Sequence, residues 1–237
     1  VTEMLFCLPY AGGGASFYRA WTPPEDMGFT LYPVQLPGRE ELFGESHYGD
    51  VAEAAADITG RIVETAGPGD RVSLLGHSFG AVLGYEIARQ LAAKGGVELG
   101  HLVVSGSAHP FSRLGRISGD LPDDEFVARV EELAGYAHPA LADPDLRSLV
   151  LPVLRSDVIL HETYFAAHAT ALPMRITALR GQDDHIVSRS EVEGWRRASS
   201  VGSAVVELPG GHMYLADQPA QLFEVLRRLA HSEALDG

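Results

Sequence analysis

The sequence predicts an α/β protein: a mostly parallel sheet with flanking helices and one helical lid insertion. Short β-branched or apolar runs alternate with longer stretches of helical period, the pattern of parallel strands joined by crossover helices. From Ser107 to about Ala171 the alternation stops, and helical segments replace it. Within the alternating part lies an abrupt strand-to-helix junction, with glycines on either side of a serine, at residues 76–80. At 237 residues and 46% apolar content, the chain has enough to build one large domain, 1–237, around a sizeable core.

The elements follow in order. Met4–Leu8 is an apolar strand that carries the only cysteine. Cys7 stands among Leu5, Phe6 and Leu8, which makes it a small buried hydrophobe, and a lone cysteine forms no internal disulfide. The glycine-rich loop Leu8–Gly14 comes next, without the Gly-Lys-Ser/Thr ending or G-x-G-x-x-G spacing of a nucleotide site. Phe29–Gln35 is the second strand. Val51, Ala55, Ile58 and Ile62 then recur at helical spacing behind Asp50 and Glu53, which predicts a capping box and a helix over 51–66. Val72–Gly76 is the third strand, followed by a helix through Ala81–Ala88, and His101–Ser105 is the fourth. Pro110, Pro122, Pro139, Pro144 and Pro152 punctuate the amphipathic segments of the insertion over about 107–171. It reads either as a lid over the carboxyl edge of the sheet, where α/β ligands bind, or as a packed helical subdomain without a gating role. Met174–Arg180 and Ala204–Leu208 complete the sheet. Asp217 and Pro219 mark the start of a final helix with the apolar stripe Leu222, Leu226 and Leu229.

A net charge of −14 excludes nucleic acid and anionic lipid as partners, since an acidic surface repels phosphate. No apolar run approaches the roughly 20 residues of a membrane helix, and the first residues read as a strand rather than a signal peptide. A soluble, cytoplasmic protein is expected.

Gly76-His77-Ser78-Phe79-Gly80 matches G-x-S-x-G, and its setting between a strand and a helix is that of a nucleophile elbow. That setting specifies the α/β-hydrolase fold and makes Ser78 the nucleophile. A serine hydroxyl needs a base and an orienting acid, supplied later in the chain in the order Ser, Asp, His. His212, in Pro209-Gly210-Gly211-His212-Met213, follows the last strand and is the base. His77 should point away from Ser78, while His101, His138, His161 and His168 read as structural or exposed. Asp183 and Asp184 both follow the strand Met174–Arg180. Asp184 is the chosen acid, three residues after Gly181 and three before Val187, leaving Asp183 solvated or capping the turn. Backbone N–H groups of Phe79 and of the first loop should form the oxyanion hole, with Ala11 preferred there and Tyr10 as its alternative.

The chain resembles the stand-alone type II thioesterases that accompany polyketide synthases and nonribosomal peptide synthetases. The residues that carry the likeness are Phe6–Gly14 with Phe17 and Trp21, Gln35–Glu40, Gly76–Ala81, Leu151–Asp157 continuing to Glu162 and Tyr164, and Gly210–His212. They span nearly the whole chain. Ser156 departs from an expected alanine, and Met213-Tyr214 from the commoner aromatic pair. The resemblance implies hydrolysis of acyl groups from the phosphopantetheine arm of an acyl or peptidyl carrier protein, with the same triad. It implies no metal and no cofactor bound to this chain, the phosphopantetheine belonging to the partner. A carboxylesterase for free small-molecule esters, an excised terminal thioesterase domain and a non-catalytic carrier-binding module are the rival readings. The lid and first-loop motifs weigh against the first, the absence of carrier-domain sequence against the second, and the complete Ser78, Asp184 and His212 set against the third.

Overall fold

The computed structural model describes residues 3–112, 120–134, 141–166 and 170–231. Strands β1 (Glu3–Leu8), β2 (Phe29–Pro33), β3 (Arg71–His77), β4 (Glu98–Ser105), β5 (Arg175–Gly181) and β6 (Ser203–Leu208) form one sheet in the order β2-β1-β3-β4-β5-β6. Every pairing between them is parallel. Helices α1 (Ala15–Arg19), α2 (Val51–Thr65), α3 (Phe79–Lys94), α4 (Asp123–Ala134), α5 (Pro144–Thr163), α6 (Arg189–Glu193), α7 (Tyr214–Asp217) and α8 (Pro219–Ala230) accompany it.

The strands are continuously apolar because both faces of the sheet are covered. Along β1, Met4, Phe6 and Leu8 belong to a core shared with α2 and α3, while Leu5 and Cys7 belong to one shared with Tyr18 of α1 and with α8. Cys7 is fully buried, as expected, and burial pushes its thiol pKa far up.

Several boundaries differ from expectation for physical reasons. β2 stops at Pro33 rather than Gln35, although the Val34 N–H still donates to the Cys7 carbonyl of β1 at 2.9 Å. β3 and β4 begin earlier than their apolar runs, at Arg71 and Glu98, which form an ion pair across the two strands. Asp50 caps α2 by accepting the Glu53 N–H at 2.8 Å. The Glu53 carboxylate, however, takes the N–H of Gly49 instead of Asp50, so the reciprocal arm of the expected box falls one residue earlier. The final helix is two pieces: Asp217 ends α7, Gln218 leaves helical geometry at φ −136° and ψ 60°, and Pro219 restarts the chain as the first residue of α8.

Two features position the site. The direction of strand addition reverses at β1, with β2 on one side and β3 on the other, so the loops after β1 and β3 meet at a topological switch point. The insertion between β4 and β5 contributes α4 and α5, and its described residues contain no strand. Phe126, Val127, Leu141, Leu151 and Leu154 give it a small core of its own, against which Ala11 packs. No described helix is long and apolar enough to cross a membrane.

Candidate active site

Ser78 stands between β3 and α3 at φ 52° and ψ −115°. Its N–H donates to the Ser105 carbonyl at 2.8 Å, and its carbonyl accepts from Ala81 N–H at 3.0 Å, so the turn is held from the sheet and from the helix. The flanking glycines are required by close approach. A methyl group on Gly76 would overlap the Gly80 carbonyl, and one on Gly80 would overlap the Leu8 carbonyl and approach that of Pro9. The elbow and the first loop are therefore packed backbone to backbone, with the serine half-buried between them.

His212 and Asp184 reach the same end of the sheet from the loops after β6 and β5. Those loops are clasped together: Gln182 N–H donates to Leu208 at 2.8 Å and Asp183 N–H to Gly210 at 2.9 Å. His212 Nδ1 lies 2.8 Å from Asp184 Oδ2, and both residues are buried. The other carboxylate oxygen, Oδ1, accepts from Ile186 N–H at 2.8 Å and Val187 N–H at 3.1 Å. Burial alone would raise the Asp184 pKa, but the hydrogen bond and charge of His212, with those two N–H donors, outweigh it and hold the carboxyl below its ordinary value. An ionised Asp184 fixes the proton on Nδ1 and leaves Nε2 as the acceptor. Asp183 is exposed and contributes no side chain to this pair.

The Ser78 hydroxyl makes no hydrogen bond among the described residues. The structure thus forms the acid–base half of the expected relay and leaves the serine–histidine hydrogen bond unmade. The N–H groups of Ala11 and Phe79 have no acceptor among the described residues, and Phe79 is the first residue of α3, where intrahelical acceptors are lacking. No three described His, Cys, Asp or Glu side chains cluster to hold a metal ion.

With an elbow serine, a buried His–Asp pair and free N–H groups on one sheet edge, the comparison with known proteins becomes specific. The chain matches the thioesterase domain family over residues 3–230. It belongs to the thioesterase family. This thioesterase is 35% identical to the thioesterase PikA5 of Streptomyces venezuelae over 214 residues, 90% of this chain and 76% of that protein. RedJ, the thioesterase from the prodiginine biosynthetic pathway in Streptomyces coelicolor, matches with a TM-score of 0.87 at 31% identity, covering 96% of this chain and 90% of its own. YbtT, a type II thioesterase from the yersiniabactin NRPS/PKS biosynthetic pathway, matches with a TM-score of 0.86 at 28% identity, covering 98% and 94%. The thioesterase is accordingly a hydrolase of the α/β-hydrolase fold.

Three further features of the thioesterase site escaped the sequence reading. His77 points away from Ser78 but into the site's foundation: its Nδ1 is 2.9 Å from Ser105 Oγ, which is 2.8 Å from the Tyr214 hydroxyl. The His77 and His212 rings are 4.8 Å apart, and burial, then the His212 charge, keeps His77 neutral. His161, on α5, lies 6.1 Å from the Phe79 ring and keeps a buried Nε2 with no partner among the described residues. His101 lies in β4 as a buried strand residue, whereas His138 and His168 fall outside the described residues. The third feature is a buried ion pair between Arg39, after β2, and Asp157 of α5. A signal for it existed, because Asp157 interrupts the stripe Leu151, Leu154 and Leu160, where an apolar residue belongs.

Proposed function

We propose that this enzyme is a stand-alone editing thioesterase. In this reading it hydrolyses acyl groups from the phosphopantetheine arm of an acyl or peptidyl carrier protein by covalent catalysis at Ser78. The observation that supports the mechanism best is the buried His212–Asp184 pair, 2.8 Å apart, on the sheet edge that carries the serine elbow. His212 Nε2 takes the Ser78 proton as Oγ attacks the thioester carbonyl carbon, and the carbonyl electrons move onto oxygen. The N–H groups of Phe79 and Ala11 hold that oxyanion. Collapse breaks the C–S bond, and His212 returns its proton to the departing thiolate. Water, deprotonated by the same nitrogen, then attacks the acyl-Ser78 ester, and the free acid leaves as the serine recovers its proton.

The chain supplies every group in these steps, so the reading calls for no resident metal or cofactor, and phosphopantetheine enters with the partner. The carrier protein as partner, and with it a cytoplasmic location, rest on the likeness to type II thioesterases. So does membership of the insertion in the same domain, as a cover over the acyl site.

The test is turnover of a panel of acyl groups on a phosphopantetheinylated carrier protein beside the same groups as simple esters. Faster release from the carrier, abolished in Ser78→Ala, is expected. Turnover of free esters alone would transfer the enzyme to the carboxylesterases and remove the carrier from the account.

A further inference from the structure

We propose that Asp157 and Arg39 are positioning residues of the oxyanion hole, and that helix α5 is a fixed wall of that hole. The proposal rests on the reading of Ala11 as the second oxyanion donor.

Asp157 accepts from three donors. Its Oδ2 receives Arg39 Nη1 at 2.6 Å and the Gly12 N–H at 2.8 Å, and its Oδ1 receives Arg39 Nη2 at 2.8 Å. Arg39 Nη1 also donates to the Gly13 carbonyl at 2.9 Å. Both side chains are buried. The bidentate pair thus grips one short loop twice, at an N–H and at the carbonyl one residue later, with the directional bonds that charged forks make.

That grip determines where Ala11 points. Each peptide unit is planar, so fixing one of its polar atoms fixes the other. The Tyr10–Ala11 unit carries the Tyr10 carbonyl, which accepts the Gly13 N–H at 2.9 Å, and the Ala11 N–H itself. The Ala11–Gly12 unit carries the N–H held by Asp157. With the planes on both sides anchored, the Ala11 N–H has a set direction before substrate arrives. The Gly12 N–H is consumed by the carboxylate, which removes it as a competing donor.

The same contacts tie α5 down. Besides Asp157, Tyr164 beyond its carboxyl end donates its hydroxyl to the buried Glu86 carboxylate of α3 at 3.2 Å. Ala11 packs on the core that α5 shares with α4. Swinging α5 away as a lid would strip Gly12 of its acceptor and Arg39 of its ion-pair partner, so opening at this helix and an assembled oxyanion hole exclude each other.

The test uses propionyl-S-N-acetylcysteamine as the thioester, with Asp157→Asn and the charge-free double variant Arg39→Met/Asp157→Leu. Asp157→Asn is expected to lower kcat about 10- to 100-fold, on the scale of a misplaced or lost oxyanion donor. KM should move by less than about 3-fold, because the interaction is made to the transition state. Removing one partner of a buried pair also destabilises, whereas an apolar replacement of both restores stability. The double variant should therefore recover its thermal midpoint and still show the low kcat. A folded double variant with kcat within about 2-fold of the natural chain would overturn the proposal, as would a rise in KM alone. Ser78→Ala separates the two levels: if it too retained turnover, the serine mechanism would fall and take the proposal with it. Loss in Ser78→Ala with full kcat in the double variant overturns the positioning role alone.

Discussion

At Ser78 the backbone holds φ 52°, a region that a residue with a Cβ enters only when its surroundings force it. The forces are visible in the Ser105 carbonyl on one side and the first turn of α3 on the other. Strain of this kind costs about 1–3 kcal/mol. Ser78→Gly is accordingly expected to abolish turnover while raising the urea midpoint by the equivalent of about 1 kcal/mol, whereas Ser78→Ala abolishes turnover without that gain. The neighbouring carboxylate permits a second prediction. Asp184→Asn keeps the shape of the loop but reverses the hydrogen bond to Nδ1 and places the proton on the wrong nitrogen, so kcat should fall by about four orders of magnitude. The folded pKa of Asp184 lies below its ordinary 3.8, so its contribution to stability is complete above that value and is lost as pH falls through the folded one. Denaturation midpoints followed from pH 5 downward should therefore fall less steeply in Asp184→Asn than in the natural chain.

Among the elements, the junction between β3, α3 and the first loop is the least tolerant of added volume. Gly80→Ala drives a methyl group into the Leu8 and Pro9 carbonyls, and no rotation of a side chain relieves it. A loss of about 3 kcal/mol or more is expected by thermal denaturation, with activity lost in parallel as the Ala11 loop is displaced. This junction was readable from the sequence because its signal is local: a strand, two glycines and a helix within a few residues. The Asp184–His212 pair could be anticipated from chain order, since parallel topology returns successive loops to one edge. What escaped was set by contacts between distant segments. Arg39 and Asp157 are 118 positions apart, and nothing near either residue names its partner. Ser105 and Tyr214, 109 apart, meet beneath His77 for the same reason. Strand ends at Arg71 and Glu98 went unseen because their pairing is ionic while the strand signal is apolar.

Over the whole molecule, burial lowers the pKa of His77, His101, His109 and His161, with the charge of His212 adding to the effect on His77 and His161. His161 is brought down to about 4 from 6.5. As pH falls below 6.5 the unfolded chain takes up protons that the folded chain refuses, so stability is complete above that value and declines as far as the folded pKa. The urea midpoint should drop between pH 7 and pH 4.5, and by less in His161→Gln, whose side chain does not titrate. An equal drop in the two proteins would remove His161 from the acid response. This window lies above the one assigned to Asp184, so the two contributions separate on a single pH series.

The nucleophile is tested most directly by trapping the covalent intermediate. The enzyme is mixed with an acyl thioester, quenched within the first turnovers, digested and examined by mass spectrometry. The account predicts an acyl group on the peptide containing Gly76–Gly80, placed on Ser78 by fragmentation and absent from Ser78→Ala. Acylation at another residue, or full turnover by Ser78→Ala, would contradict it.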